Sequence, residues 1–486
     1  MAELKPEDMQ DIQGFVISGY AHLPCVSYHL LHVNDAPAAR HWLAQLVNEV
    51  TTSEGKEFIS CTNVAITHPG LKRLGLDAET LDTFSRPFIE GMATPHRSRI
   101  LGDGAENAPA NWDWGFYQEP DETKVVDILL LLFGKDELTL DEVVNEHRAG
   151  FIPGGLTELF ALGAGRQPDI HEHFGFADGM GQPAIEGTIQ TRDAAPRNVI
   201  KAGEILLGYI NDYGKPADSP SVSAALDPEH ALHDLTEVDV AGKEQPASPD
   251  EDRPMNRDLG RNGTYLVFRQ LAQHVAKLCH FLDEATRTLD GQLDSRASDY
   301  LAAKFVGRWQ NGAPLVLSPD ADDPALSKAD DFGYRDSDAQ GFKCPIGSHV
   351  RRSNPRDTLG PDAATALATA NRHRILRRGR SYGVRPKDRR TDDGVPRGLH
   401  FLCLNSDIER QFEFVQQTWV NNPVFGGLDG EVDPLVGNLV KGDEIFTVQA
   451  DPLRTRVHNL ERFVTVKGGA YFFLPSIRAL RYLASL

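Results

Sequence analysis

The sequence repeats one order of strand-like and helix-like segments on the two sides of an acidic, proline-rich stretch. This stretch covers residues 217–257 and is rich in Pro, Asp, Glu and Ser. Such a composition is typical of an insertion or a linker, which few contacts cross. We therefore predict an N-terminal α+β domain at 1–216, an insertion or linker at 217–257 and a C-terminal α+β domain at 258–486.

Apolar runs rich in β-branched and aromatic residues predict the strands of both halves. They lie at 25–33, 60–68 and 125–134 in the first half and at 263–271, 398–405 and 463–475 in the second. The last run contains Gly468 and Gly469, which favour a hairpin or a bulged strand. The run at 125–134 is the longest apolar stretch, and it is too short to span a bilayer.

Segments with helical apolar spacing follow several of these strands. We predict helices at 36–50, 136–150, 406–422 and 476–486, a helix directly after residue 271, and a short helix that starts at Pro69. Ser406 is the predicted N-cap of the helix at 406–422, because Glu409 follows three residues later. The similar order of elements in the two halves indicates a duplicated α+β unit.

Charge and cysteine content restrict the partners and the compartment. The chain has 486 residues, 40% of them hydrophobic and 25% charged, and a formal net charge of −20. Phosphate backbones and anionic membranes repel such a chain, so we expect neither nucleic-acid nor membrane binding. The N-terminus has no apolar secretory region, and the five cysteines are scattered without a CxxC spacing. We expect a cytoplasmic protein without disulfides or a zinc or iron–sulfur site.

A glycine-rich segment at 171–187, HEHFGFADGMGQPAIEG, presents an aspartate in its central loop. Gly175 and Gly179 lie close to Asp178 on either side, and glycines let the backbone approach a flat ligand closely. The segment therefore positions a carboxylate, although a simple turn with Asp as the turn former is the alternative. His171 and His173 form an HxH pair, but the absence of a closely spaced third ligand argues against a separate metal site.

A second segment, GFKCPIGSHVRRSNPRD at 341–357, combines one histidine, His349, with several arginines. Imidazole is a standard axial ligand of haem iron. Arginine pairs readily with carboxylates such as the haem propionates. The alternative interpretation is a basic surface turn next to a core histidine.

The third segment, RHRILRRGRSYG at 372–383, is a basic cluster in an acidic protein. Its arginines at 374, 377, 378 and 380 cannot all be paired at low cost inside the fold. An arginine that points inward requires an anion or a developing negative charge next to it. We therefore expect at least one of the arginines that follow the apolar pair Ile375–Leu376 to point inward.

Taken together, these segments resemble the dye-decolourising peroxidases, a family of haem peroxidases. GFADG is similar to the family's GxxDG motif, CPIGSHVRRSNPR to its proximal-histidine segment and ILRRGRSYG to its distal-arginine segment. RGLHFLCLNSDIERQFEFVQQTW and DPLVG resemble further blocks of the family. The similarity runs from about residue 170 to the C-terminus and, more weakly, through the first half. Length and insertions are most similar to the larger bacterial branch.

The resemblance implies an α+β fold of two ferredoxin-like domains, antiparallel sheets with helices, that enclose one haem b per chain. It implies catalytic roles for Asp178 and Arg377, axial ligation of the iron by His349, propionate binding by Arg356, and a distal pocket lined by Leu399 and Phe401. Arg378 and Arg380 remain alternatives to Arg377. The implied activity is reduction of hydrogen peroxide with one-electron oxidation of dyes, phenols or other organic reductants.

The resemblance also implies how these residues would act. Asp178 would move a proton of the peroxide, and Arg377 would stabilise the charge that develops as the O–O bond breaks. We expect Asp429, Glu431 or Asp433 to bond the second ring nitrogen of His349. Model carboxyls titrate near about 3.9 and model imidazoles near about 6.5, so an aspartate base predicts an acidic pH optimum.

Two alternatives concern the site of dye oxidation and the class of protein. Bulky dyes are expected to react at a surface aromatic residue, and the candidates are Tyr334, Tyr382, Trp309 and Trp419, although core packing is the more frequent role of such rings. A haem carrier or iron-releasing protein with incidental peroxidase activity is the alternative function. Related proteins are often dimers or larger, so a homo-oligomer is one expected assembly.

Overall fold

The computed structural model describes residues 4–55, 58–116, 121–238, 244–246, 255–439, 442 and 444–486. Its first half contains a four-stranded antiparallel sheet with two helices. In chain order the elements are β1 (Cys25–Val33), α1 (Ala36–Leu46), β2 (Ser60–Ile66), β3 (Ile128–Gly134), α2 (Glu137–Phe151) and β4 (Leu156–Gly165). The strand order in the sheet is β2-β3-β1-β4. This βαββαβ arrangement is ferredoxin-like.

The second half repeats this arrangement. Its sheet consists of β5 (Thr264–Gln273), the two short strands β6 (Leu376–Arg377) and β7 (Arg380–Tyr382), β8 (Gly398–Asn405) and β9 (Val464–Leu474). β5 lies between β9 and β8, and β8 pairs on its other side with β6 and β7. The helices are α3 (Val275–Ala285), α4 (Ser295–Val306), α5 (His349–Ser353), α6 (Ala363–Asn371) and α7 (Ile477–Ser485), with π-helical turns at Glu409–Glu413 and Val415–Val420. The predicted pair of ferredoxin-like α+β units is therefore confirmed.

The two sheets join at both edges and close into a ring of eight strands. Phe473 of β9 pairs with Ile66 of β2, and Ser381 of β7 pairs with Gly165 of β4. Alternate strand residues point into the ring, where Tyr28, Phe133, Phe268, Leu402 and Phe472 form one apolar core. The other face packs on helices, with Trp42, Leu43, Leu130, Phe151 and Leu480 in a second core. Burial on both faces explains the uninterrupted apolar sequence of β3.

Shorter helices connect and flank these elements. They span Gly14–Ile17, His68–Leu74, Ala78–Asp82, Arg86–Glu90, Pro95–Leu101 and Arg335–Asp338. The helix predicted to start at Pro69 is the one at His68–Leu74. It begins after Thr67, whose hydroxyl accepts the Gly70 amide, and ends at Gly75 with φ of 99°. Within the described ranges, none of the helices combines the length and the apolar character needed to cross a bilayer.

One prediction about an individual element is wrong, and another is decided between its two alternatives. Ser406 does not cap the helix at 406–422, because its hydroxyl donates to the Gly203 carbonyl. The Asp407 carboxylate instead accepts the Arg410 amide at 2.9 Å. The segment 463–475 is one strand and not a hairpin, and its register against β5 shifts between Gln270 and Leu271. The bulged-strand alternative is the correct one.

The acidic stretch at 217–257 contributes strands where it is described. Ser221–Ser223, His233–Asp234 and Met255–Asp258 form a three-stranded sheet, and Thr236–Val238 pairs with Glu244–Pro246. The parts of the stretch at 239–243 and 247–254 lie outside the described residues. The domain limits at 216 and 258 remain a prediction.

Candidate active site

A deep cavity lies against the helix-facing side of the second sheet. Leu399 and Phe401 of β8 both line it, because residues two apart on a strand share a face. Leu271 of β5 pairs with Leu399 and lines the same wall. The remaining apolar lining comes mainly from Phe412, Val415, Val436, Val464 and Val466. The cavity therefore has a broad apolar wall of the kind that a flat, largely apolar ligand requires.

His349 is the first residue of α5 and lines this cavity. Its Nδ1 lies 2.9 Å from Oδ2 of Asp433, and its side chain is 32% exposed while that of Asp433 is fully buried. Asp433 also accepts the amides of Leu435 and Val436 at 2.9 and 3.0 Å. The carboxylate fixes Nδ1 as the donor, so Nε2 is the ring nitrogen left for a ligand in the cavity.

The structure also selects among the three acids that are candidates to bond His349. Asp429 is exposed, and Glu431 uses both carboxylate oxygens on the amide and hydroxyl of Thr447. Asp433 is the one that reaches the imidazole. Burial alone would raise the pKa of Asp433, but the His349 charge and the hydrogen bonds outweigh it and leave this pKa below its ordinary value.

Arg377 connects the cavity to a second, more polar opening. It lines both, while Asp178 lines the second. Its Nη1 lies 3.9 Å from Oδ1 of Asp178, and the two side chains are 36% and 40% exposed. The Met180 carbonyl accepts from Nη2 of Arg377, and the side-chain oxygen of Gln182 accepts its backbone amide. The structure thus brings the aspartate and this arginine together at the entrance of a small polar passage.

The other two arginines considered for this role lie elsewhere. Arg378 donates to the carbonyls of Phe15, Val16 and Ile17, and Arg380 donates to those of Gly19, Tyr20 and Gly379. Both hold the N-terminal segment against β7 and β8. The geometry therefore favours Arg377 over Arg378 and Arg380 as the arginine of the site.

Glu172 shapes the loop that carries Asp178, and sequence reasoning missed it. Its carboxylate accepts the amides of Phe174 and Phe176 at 2.8 and 2.9 Å and the side-chain amide of Gln273 at 2.6 Å. Gly175 lies in the turn with φ of 91°. The one available signal was a glutamate followed at once by a turn-forming glycine, because carboxylates often accept the free amides of a tight turn.

Arg356 lines the cavity, but its guanidinium already has protein partners. Asp330 accepts from it at 2.5 Å, and the carbonyls of Asp330 and Phe332 accept at 3.0 and 3.1 Å. Arg308 shares the same Asp330 oxygen at 2.8 Å. Arg356 therefore contributes positive charge to the cavity wall while most of its hydrogen bonds stay within the protein.

The donor set fits a haem. A haem needs an axial ligand for its iron, apolar walls for the macrocycle and cations for its two carboxylates. His349 offers an imidazole nitrogen, Leu399 and Phe401 belong to the apolar wall, and Arg308, Arg356, Arg374 and Arg377 bring positive charge to the lining. Among the described residues no group of three or more His, Cys, Asp or Glu side chains is arranged to hold a bare metal ion. Nε2 of His173 lies within hydrogen-bonding distance of the Tyr382 carbonyl oxygen, at 2.8 Å.

The aromatic candidates for surface electron transfer are mostly core residues. Tyr334, Trp309 and Trp419 are 1%, 7% and 4% exposed. The alternative that these three rings pack in the core is therefore confirmed. Tyr382 is partly exposed and stacks on His400 with ring centroids 4.5 Å apart. The five cysteines are free thiols.

Comparison with known proteins identifies the family. A scan against protein-family models finds no match. The multifunctional dye peroxidase DyP2 of Amycolatopsis sp. is 30% identical over 460 residues, which cover 90% of this chain and 84% of that protein. An ancestral D-type dye-decolourising peroxidase superimposes with a TM-score of 0.75 at 28% identity, over 99% of both chains. A dye-decolourising peroxidase in complex with 2,6-dimethoxyphenol gives 0.73 at 25% identity, over 98% of this chain and 99% of the other. The chain belongs to the dye-decolourising peroxidase family.

Proposed function

We propose that this chain is a haem-dependent peroxidase in which His349 binds the iron and Asp178 and Arg377 act on hydrogen peroxide. The observation that carries the proposal is that one cavity is lined by residues of two functional pairs, His349 with Asp433 and Arg377 with Asp178. An imidazole oriented by a buried carboxylate lines the cavity, and so does an arginine that lies beside a half-exposed aspartate. A haem carrier would need only the imidazole and its carboxylate, so the arginine beside the aspartate supports catalysis.

The residues divide the work on peroxide. When bound, haem supplies the iron at which the O–O bond is cleaved and the site from which electrons are drawn. Asp178 takes the proton from one peroxide oxygen and delivers it to the other, so that water can leave. Arg377 stabilises the negative charge that develops on the leaving oxygen. Leu399 and Phe401 keep bulk water from this side of the cavity.

His349 and Asp433 do not act directly on peroxide; their role is to hold the iron. The Asp433 carboxylate accepts the Nδ1 proton, which increases the electron density of the ring and the basicity of Nε2. Arg356 adds positive charge where the haem carboxylates would lie. These residues would hold one haem b per chain, with His349 as the ligand of its iron.

The reductant belongs to the phenols, dyes or similar organic molecules. The relative crystallised with 2,6-dimethoxyphenol supports this class. Nucleic acids are poor partners for a chain with a net charge of −20. The cytoplasmic location and the homo-oligomer remain predictions from the sequence and the family.

Removal of the imidazole tests the iron assignment. His349→Ala is expected to lose haem or to lose the Soret and visible bands of an imidazole-ligated ferric haem, whereas the exposed His458→Ala keeps the wild-type spectrum. Wild-type holoprotein is expected to oxidise 2,6-dimethoxyphenol with hydrogen peroxide. An unchanged spectrum in His349→Ala would refute the ligand, and haem binding without turnover in the wild type would favour the carrier.

A further inference from the structure

We propose that Arg374 binds a carboxylate of the haem and is a haem-anchoring residue distinct from Arg356. The inference rests on the proposed haem site and adds one residue to it. Arg374 lines the cavity although the residue is only 5% exposed, so its small exposed surface faces the cavity interior. Arg374 lies directly before the ILRRGRSYG motif, and the motif assigns no role to it.

Arg374 has little to bind within the protein. Of its five N–H groups, one is hydrogen-bonded in the part of the chain that the structure describes, from Nη2 to the Gly181 carbonyl at 3.0 Å. No carboxylate lies within ion-pairing distance of it among those residues. A buried guanidinium without a counter-ion is costly, and proteins retain one where a ligand supplies the anion.

The charges around Arg374 also favour an anionic ligand. Arg308, Arg356 and Arg374 line the cavity together with the Asp330 carboxylate, which Arg308 and Arg356 already share. These three positive charges and one negative charge leave an excess of two, and Arg377 does not change it because Arg377 lies beside the Asp178 carboxylate. Arg269 adds nothing to this excess, because it pairs with the buried Asp103.

Arg374 stays charged in this environment. Burial, together with the Arg356 charge, lowers its pKa to about 10, while Asp330 opposes the shift. Deprotonation is therefore not how the protein relieves the excess near neutral pH. Haem b carries two carboxylates, which match the excess of two, and a guanidinium can bind a carboxylate through two parallel hydrogen bonds.

The position of Arg374 is fixed by the same loop as the distal arginine. The carbonyl of Gly181 accepts from Arg374, and that of Met180 accepts from Arg377. The loop that follows Asp178 thus orients two arginines at once. A haem carboxylate bound by Arg374 would tie the cofactor to the loop that carries the aspartate.

Haem release from the holoprotein tests the proposal. The protein is loaded with haem b or with its dimethyl ester, in which both carboxylates are blocked, and transfer to excess apomyoglobin is followed at neutral pH. Arg374→Gln is expected to release haem b at least tenfold faster than the wild type. With the diester the two proteins are expected to differ by less than twofold, because the partner of Arg374 is missing.

Two further variants keep the outcome decisive. Arg372→Gln makes the same change at an arginine that packs on the Tyr213 ring outside the cavity lining, and it is expected to release both haems like the wild type. Arg374→Lys keeps the charge and is expected to release haem b at an intermediate rate, which covers the case in which Arg374→Gln is unstable.

The proposal is overturned if Arg374→Gln, or Arg374→Lys in its place, accelerates release of both haems equally or leaves haem b release unchanged. Equal acceleration would mean that Arg374 stabilises the fold and has no specific contact with a carboxylate. Either result would leave the peroxidase function intact, since that function fails only if the wild type binds no haem or does not turn over peroxide.

Discussion

Asp433 orients the His349 imidazole and increases the basicity of its free ring nitrogen. It is fully buried, and besides the ring it binds two backbone amides, so its position is rigid. Because a buried carboxylate next to a metal-binding histidine tunes its basicity, loss of the charge is expected to change the chemistry of the iron.

Asp433→Asn is expected to slow the reaction with peroxide by about 10- to 100-fold and to raise the reduction potential of the haem, since the amide is neutral. Spectroelectrochemical titration and stopped-flow absorbance give the two quantities. The control is Asp429→Asn, an exposed carboxylate four residues away. If the potential of Asp433→Asn matched that of the control, the carboxylate would not act through the ring.

Glu172 is expected to act on peroxide chemistry through the Asp178 loop. In Glu172→Gln one acceptor oxygen becomes an NH2 group that must face a backbone amide or the Gln273 side chain. The rate of the peroxide reaction should fall by about tenfold with haem retained. Glu186→Gln is the control, since Glu186 is exposed in the same segment. A normal rate in Glu172→Gln would show that the loop keeps its shape unaided.

At the residue scale, the sequence predicted side chains whose identity follows from chemistry. An imidazole beside a run of arginines and an aspartate between glycines marked His349 and Asp178 as candidates, and the resemblance of several segments to the family then singled them out. The sequence could not show that Arg374 lines the cavity as Arg377 does, because this depends on which carbonyls surround the two side chains in three dimensions. Nor could it show that Arg356 shares Asp330 with Arg308.

The pairing of β8 with β5 positions one apolar wall of the cavity, and Gly398 allows the two strands to approach each other closely. A Cβ on Gly398 would lie 1.8 Å from the Leu271 carbonyl oxygen, far inside contact distance. Leu399 and Phe401 follow directly on the same strand. The register of β8 therefore fixes where the apolar cavity wall lies.

Gly398→Ala is expected to lower the thermal unfolding midpoint and haem occupancy, because β8 must move away from β5. Gly163→Ala is the matched control: it also lies in a strand, β4, but a Cβ there meets nothing within 4 Å. The control is expected to be neutral. Equal midpoints for the two variants, measured by calorimetry, would argue that β8 is not held by this contact.

Element boundaries were predictable where one residue pattern dominated. β1 and β8 were predicted at their observed limits because their β-branched and aromatic runs are bounded by turn residues. β4 was missed, since its sequence LTELFALGAG alternates irregularly, contains two glycines and is only partly buried. The Ser406 cap failed because tertiary contacts gave its hydroxyl another partner.

At the scale of the whole molecule, the duplicated order of elements predicted two α+β units but not how they join. The two sheets meet through single residue pairs, Phe473 with Ile66 and Ser381 with Gly165. No sequence pattern marks such a junction, because it depends on the packing of the apolar core inside the ring of strands.

That core contains a histidine with a consequence for acid stability. His400 is 1% exposed among the rings of Tyr28, Phe268 and Tyr382, and burial lowers its pKa to about 4, with a hydrogen bond involving the Gly163 backbone opposing the shift. Because the folded pKa lies below the unfolded value of about 6.5, the unfolded chain takes up the proton first. The resulting stability is present above pH 6.5 and is lost as the pH falls toward 4.

His400→Phe is therefore expected to lose less stability than the wild type between pH 7 and pH 5, by about 2 kcal/mol from this linkage. The measurement is the unfolding midpoint of holoprotein at several pH values. His458→Phe, at an exposed histidine, should follow the wild-type pH dependence. Parallel curves for His400→Phe and the wild type would contradict the burial of a neutral imidazole.

The central claim is that Asp178 serves as the proton carrier for peroxide in a cavity whose haem is held by His349. Single-turnover stopped-flow absorbance of the haem-loaded protein with hydrogen peroxide tests it most directly. We expect a fast Soret change in the wild type and a rate about 100-fold or more lower in Asp178→Asn, whose resting spectrum stays that of the wild type. Asp178→Asn reacting with peroxide as fast as the wild type would contradict the account.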